Sequence, residues 1–267
     1  MAVIDEIREQ RKKAFKTMDT KGKLGYIWYY YKVHILVSLA VIIFVVAFIQ
    51  QYLSNKPYGF YACFVDASVT DYSITDIWAD EFAQYGPVDT DEYLVFMDTS
   101  VQLSENSDPQ YTMSSREKLL LQLQTGEVHV ITADTEVFES YAQNQFFYPL
   151  EEILSEEQLA RYQDLFYYMD AATFDTGDDN TAYLELEQDD PSEDDIDHRD
   201  PSHMKDPVAV GIIVTDFAKI QDSGFYQYLS DGDVTYQQHP SEAVLGIPVT
   251  LKDPALAVRF IEFLDEN

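Results

Sequence analysis

The sequence holds a single cysteine, Cys63. No internal disulfide can form, and zinc sites built on two or four thiolates are excluded. Basic residues are scarce: 17 Lys and Arg stand against 48 Asp and Glu, a formal net charge of −31. That excludes nucleic acid as a partner, because phosphate recognition needs a cationic surface that releases counterions. Gly-x-Ser-x-Gly, His-Glu-x-x-His, Walker-type and Gly-x-Gly-x-x-Gly motifs are missing. With its one cysteine in an apolar run, the chain offers no Cys/His nucleophile pair. Carboxylates are so abundant that an Asp–Glu pair suited to glycoside cleavage carries little diagnostic weight. The expectation is therefore no enzyme and no catalytic residue. No repeat at a solenoid period is visible. What is plentiful is apolar: 46% hydrophobic and 14% aromatic residues exclude a fully disordered acidic chain, and 267 residues allow one or two domains.

The charges are segregated. Residues 1–32 carry eight basic and four acidic side chains, residues 33–55 carry none of either sign, and residues 56–267 carry a net charge of −35. The stretch Val33–Leu53 (VHILVSLAVIIFVVAFIQQYL) would rise about 31 Å as a helix, close to the ~30 Å hydrocarbon core of a bilayer. Ser38 is its only polar residue between Ile35 and Ile49. A buried core helix of this length would carry a polar face. Tyr26, Trp28, Tyr29, Tyr30 and Tyr31 form an aromatic belt at one end, beside Lys32, and Tyr52 and Lys56 flank the other. The apolar run is too long for a cleaved signal peptide, and no small-x-small cleavage site follows it. The expected topology is a single uncleaved anchor in the cell membrane. The basic head (1–32) would be cytoplasmic by the positive-inside rule and the acidic body outside.

Beyond residue 56, strand and helix patterns alternate. Tyr58–Asp66 is a buried strand that includes Cys63. Ser73–Tyr85 is a helix stopped at Gly86-Pro87. Glu92–Met97 is a second strand, and Asp98–Tyr111 a polar loop. Ser114–Gln124 is a helix closed by Gly126, and Glu127–Ala133 a third strand. Thr135–Gln143 is a helix capped by Asp134 or Thr135, and Ser155–Phe166 a helix with a Ser155/Gln158 capping box. Further strands are expected at Thr181–Gln188, Pro207–Thr215 and Ala243–Thr250, and helices at Asp216–Leu229 and Asp253–Leu264. The alternation predicts an α/β fold: a sheet of parallel βαβ units with helices on both faces. Its ligand side is the carboxyl edge of the strands, which falls at Asp66-Ala67-Ser68, Asp98-Thr99-Ser100 and Ala133-Asp134-Thr135.

LLLQLQTGEVHVITAD (Leu119–Asp134), followed by TEVFESYAQNQFFYPLEEIL (Thr135–Leu154), resembles type II extracellular (periplasmic) solute-binding proteins. AVLGIPVTLKDPALAVRFIEFL (Ala243–Leu264) is similar to that family's late strand and helix. LGYIWYYYKVHILV (Leu24–Val37) and DPSHMKDPVAVGIIV (Asp200–Val214) resemble segments of membrane-anchored, clostridial-type relatives. The resemblance implies a two-lobe periplasmic-binding-protein type II-like body that follows the transmembrane helix. Lobe 1 would be residues 57–134 with 243–267, and lobe 2 residues 135–242. A ligand would be captured in the interlobe cleft by hinge closure, without catalysis. By position the cleft residues would be Asp66, Ser68, Asp134 and Thr135. The rival expectation is a cell-envelope scaffold that keeps the fold without ligand binding.

The acidic loop 175–200 carries twelve carboxylates and one Arg. Within it and just after, Asp195, Asp197, His198, Asp200 and His203 are candidate metal ligands; the carboxylates suit Ca²⁺ and the histidines Zn²⁺. The spacing matches no EF-hand, and a solvated acidic loop is the favoured reading. No cofactor is expected beyond such a Ca²⁺. The bilayer is one expected partner. A small-molecule or peptide ligand, favoured as cationic by the negative body, and a transporter or envelope protein are the others.

Overall fold

The computed structural model describes residues 18–54, 56–103, 109–174, 197–227 and 242–266. Most of the basic head, the strand expected at Thr181–Gln188, the candidate ligand Asp195 and the end of the helix expected to reach Leu229 lie outside the described residues. The chain divides into two units, residues 1–56 and 57–267.

The first unit is built on one helix, α1 (Thr20–Ser54). Its segment Thr20–Gln50 is long and apolar enough to cross a membrane, and none of its apolar window is buried by protein. Leu39, Ile42, Ile43, Phe44 and Phe48 all face outward. An apolar surface of this kind all round a helix is compatible with a membrane span or with a signal sequence. Tyr26 and Tyr30 pack at 4.6 Å, and Tyr29 and Tyr30 edge-to-face at 5.1 Å, a cluster at one end suited to a membrane–water interface.

The second unit is a three-layer α/β body around one six-stranded sheet. Its strands are β1 (Tyr58–Phe64), β2 (Leu94–Asp98), β3 (Val130–Asp134), β4 (Phe166–Asp170), β5 (Pro207–Ile213) and β6 (Ala243–Gly246), in the order β2-β1-β3-β6-β5-β4. Strict alternation along β1 feeds both faces. Phe60, Ala62 and Phe64 enter one core with Trp78 and Phe82 of α2 (Ser73–Tyr85) and Phe260, Ile261 and Leu264 of α8 (Ala255–Asp265). Tyr61, Cys63 and Val65 enter the other with Leu119, Leu120 and Leu123 of α3 (Pro109–Thr125) and Phe138 and Tyr141 of α4 (Thr135–Gln143). Among the described residues the remaining α-helices are α5 (Leu150–Ile153), α6 (Glu156–Tyr162) and α7 (Ala218–Ser223). Sequence-level end signals reappear as geometry. Asp134 caps α4 through Val137 N–H, Ser155 and Gln158 form a reciprocal box on α6, and Gly126 takes φ +70° after α3.

Two expectations differ. β1 pairs in parallel with β2 and β3, but β3–β6, β6–β5 and β5–β4 are antiparallel, so the sheet is mixed. β4 (FYYMD) was hidden in the sequence at the end of a helix pattern. In addition, the residues expected as separate lobes share this one sheet. β6 pairs on one side with β3 and on the other with β5, so the backbone ladder runs unbroken from residues 57–134 into residues 135–242. Close packing secures this junction. Phe138 and Phe147 stack in parallel at 4.4 Å directly over Gly211 and Gly246, where an added Cβ would lie 2.6–2.7 Å from side-chain carbons.

Candidate functional site

β1, β2 and β3 run parallel and end in Phe64-Val65-Asp66, Asp98 and Asp134. Their carboxyl ends therefore lie along one edge of the sheet, the edge at which open α/β sheets take ligands. The segment after β2 crosses this edge. Asp66 N–H donates to Val101 O at 2.9 Å, Leu103 N–H donates to Asp66 Oδ1 at 2.8 Å, and Tyr111 OH donates to Ser100 O at 2.7 Å. Asp66 itself sits at φ 54°, the left-handed turn that sends the chain out of β1.

The carboxylates expected as ligand contacts thus have partners within the fold. Asp66 pins the crossing segment. Asp134 accepts from Val137 N–H at 2.9 Å as a helix cap. Burial raises its pKa, the Val137 bond opposes this, and the nearby charges of Asp66 and Glu136 raise it further. Ser68 is exposed and its N–H donates to Phe225 O at 2.8 Å. Thr135 is half-buried at the first position of α4. Asp66 and Asp134 are brought close enough to interact, while the main chain at Ser68 bonds to Phe225.

Asp98 is the most enclosed carboxylate at this edge, 2% exposed. Tyr61 OH donates to its Oδ2 at 2.5 Å and Lys118 Nζ at 2.9 Å, while Ser100 Oγ and N–H donate to Oδ1 at 2.6 and 2.8 Å. Burial pushes its pKa up, but the bonds from Ser100, Tyr61 and Lys118 outweigh it and hold the pKa below the usual carboxylate value. The same pairing, after burial, pushes the Tyr61 hydroxyl far above its ordinary range. Burial likewise raises the Cys63 thiol well out of the nucleophilic range.

One group at this edge had no signal in the sequence beyond its charge. Arg116, in the first half of α3, is half-buried. Its Nε is buried without a hydrogen-bond partner, and no carboxylate pairs with it among the described residues. By contrast, Lys118, Arg161, Arg199 and Lys219 each hold an acid, namely Asp98, Asp265, Glu242 and Glu81. Thr112, one turn earlier on the same helix face, has a buried hydroxyl without a partner, and so does Tyr141, 2% exposed on α4. The charges of Arg116 and Asp66 both reach the Tyr141 hydroxyl, whose pKa burial drives upward.

The described candidate metal ligands, Asp197, His198, Asp200 and His203, have neighbours within the fold. His198 Nδ1 lies 2.8 Å from Tyr168 O, its ring stacks on Tyr167 at 4.4 Å, and its Nε2 lies 3.6 Å from Glu139. Asp197 Oδ1 accepts from Arg199 N–H, and Asp200 Oδ1 from Ser202 N–H. His203 is exposed, 4.0 Å from Asp200. Among the described residues no three His, Cys, Asp or Glu side chains come together as a metal site. Away from the sheet edge, a shallow groove is lined by Glu81, Gln84, Tyr85, Lys219, Phe263 and Glu266. The chain's own ammonium occupies it, since Lys219 lies 4.4 Å above the Phe263 ring. Compared with protein-family models, curated proteins and solved structures, the chain matches none, and its functional reading rests on its own residues.

Proposed function

We propose that this chain is a membrane-tethered, non-catalytic binding protein. α1 crosses the bilayer once, the basic head stays in the cytoplasm, and the acidic body faces outward and takes a ligand at the carboxyl edge of its sheet. The supporting observation is the apolar helix Thr20–Gln50, unburied by protein, set between a +4 head and a −35 body. Cytoplasmic retention of the basic flank then orients the rest. Binding rather than catalysis is supported by the protonation states at the edge. Tyr61 and Cys63 are held neutral, and Asp98 is committed to internal donors. Among the described residues, no buried nucleophile there has an adjacent base.

A solute-binding type II body is the finer form of this proposal. Because one sheet joins the two expected lobes, the ligand is taken at the sheet edge rather than by hinge closure. The competing reading is an envelope scaffold, favoured by the engagement of Asp66 and Asp134 in holding the chain's own amides. Two measurements decide. Protease added to intact cells should digest residues 57–267 and spare the head; protection of the body in unbroken cells refutes the topology. A thermal-shift panel of sugars, amino acids, peptides, amines, small carboxylates and Ca²⁺ should show one class raising the melting temperature by several degrees. Silence across the panel leaves the scaffold.

A further inference from the structure

We infer that Arg116, Thr112 and Tyr141 form the recognition point for a singly charged carboxylate, resting on the reading that the body binds a ligand at this sheet edge. An arginine in a body of −35 has acids to choose from, yet Arg116 has none among the described residues, and its Nε is buried without a bond. Desolvating a charged donor without an acceptor is costly, more so than for a neutral group. Two hydroxyls add to that cost on the same ground. Thr112 Oγ1 lies one turn away on α3, and Tyr141 OH, on a side chain 2% exposed, sits within reach of the Arg116 charge. One incoming oxyanion would supply acceptors for these donors at once, and a guanidinium is shaped for a planar carboxylate.

The charge count selects a monoanion. Arg116 is a single cation and the Asp66 charge acts on the same Tyr141 hydroxyl, so each further negative charge on a ligand meets added repulsion and a dianionic phosphate is disfavoured against a monocarboxylate. The body's overall acidity does not veto a local anion, because charges beyond about 8 Å are largely screened at physiological ionic strength. It does mean that the long-range preference for cations, expected from composition, and the short-range preference at Arg116 have opposite signs.

The test uses the full chain in lipid nanodiscs at constant ionic strength. Acetate, succinate and inorganic phosphate are titrated against a chloride control, reading melting temperature and the ¹⁵N resonance of Arg116 Nε. Acetate should raise the melting temperature saturably and shift that resonance, with phosphate weaker. Arg116→Gln should weaken acetate binding about tenfold or more, the scale of a charge-assisted pair. Arg116→Lys, which keeps charge but not the fork, should fall between. Tyr141→Phe removes only a hydroxyl without a bond, so it keeps the test valid if Arg116→Gln fails to fold; it should weaken acetate severalfold. Acetate that fails to bind, or binds Arg116→Gln and Tyr141→Phe as it binds the parent, overturns the site. A sugar or amine that stabilises the body while acetate is inert overturns this inference and leaves the binding-protein reading standing. Silence of every ligand class overturns both.

Discussion

Tyr61 and Asp98 meet across neighbouring parallel strands, hydroxyl to carboxylate at 2.5 Å, with both side chains enclosed. Lys118 reaches the same carboxylate oxygen from α3, so this contact ties β1, β2 and the helix over them. A hydrogen bond to a buried charge contributes about 1.5–3 kcal/mol, and a Tyr61→Phe/Asp98→Asn double-mutant cycle in urea should return a coupling of that size. The pH dependence has a defined sign. The folded pKa of Asp98 lies below its ordinary value, so its contribution is complete above the unfolded value of about 3.9 and drains as pH falls through the lowered one. Asp98→Asn should flatten the acid limb of the stability curve in that window; an unchanged acid limb would refute the assignment.

Gly246 is required by close approach rather than by backbone angle. A Cβ there would lie 2.6 Å from Phe147 and 2.7 Å from Phe138, two rings already stacked on each other and buried. Gly246→Ala should therefore destabilise the body by about 1–3 kcal/mol, the usual cost of overpacking. Chemical denaturation measures it. Pairing the change with Phe147→Leu, which opens space, should recover part of the loss.

His198 should behave as a pH-dependent strap. Burial lowers its pKa, but the Glu139 carboxylate, the Tyr168 carbonyl and the Asp197 charge together raise it above 6.5. Its flat face is held by Tyr167. A raised folded pKa means stabilisation that is complete below the unfolded value, about 6.5, and is lost as pH climbs through the folded one. Urea midpoints should thus fall as pH rises past about 6.5 in the parent and stay level in His198→Gln. An NMR titration placing His198 below 6.5 would contradict this.

The fold was legible where local signals decide and obscure where pairing decides. Ser155/Gln158, Asp134 and Gly126 announced helix ends because capping is a matter of a few adjacent residues. The short unbroken apolar run of β1 announced a buried strand. Nothing local distinguishes a strand that joins its neighbour parallel from one that joins antiparallel, so the reversal at β6 and β4 was not visible. β4 escaped because Phe166 and Tyr167 complete the apolar pattern of the helix before them. At the site, the carboxylates Asp66 and Asp134 were visible as strand ends, but not that amides of the chain would take them. Arg116 carried no motif. Its significance is the lack of an acid partner among the described residues, a property of three-dimensional neighbours alone.

The division at residue 56 leads to the last expectation. Residues 57–267 form a compact unit with buried clusters on both faces of their own sheet, whereas the apolar window of Thr20–Gln50 contributes nothing buried to any core. A chain beginning at Pro57 should therefore be soluble, melt cooperatively, and keep a melting temperature within about 5 °C of the full chain, a difference of roughly 1–2 kcal/mol for a domain of this size. Restoring α1 should return the protein to the membrane fraction and resist extraction at high pH and high salt, because the anchor is held by burial of apolar area rather than by charge. A truncated body that aggregates or melts without cooperativity would show that the sheet depends on the anchor. A full chain washed off by salt would show that α1 lies against a surface instead of crossing it.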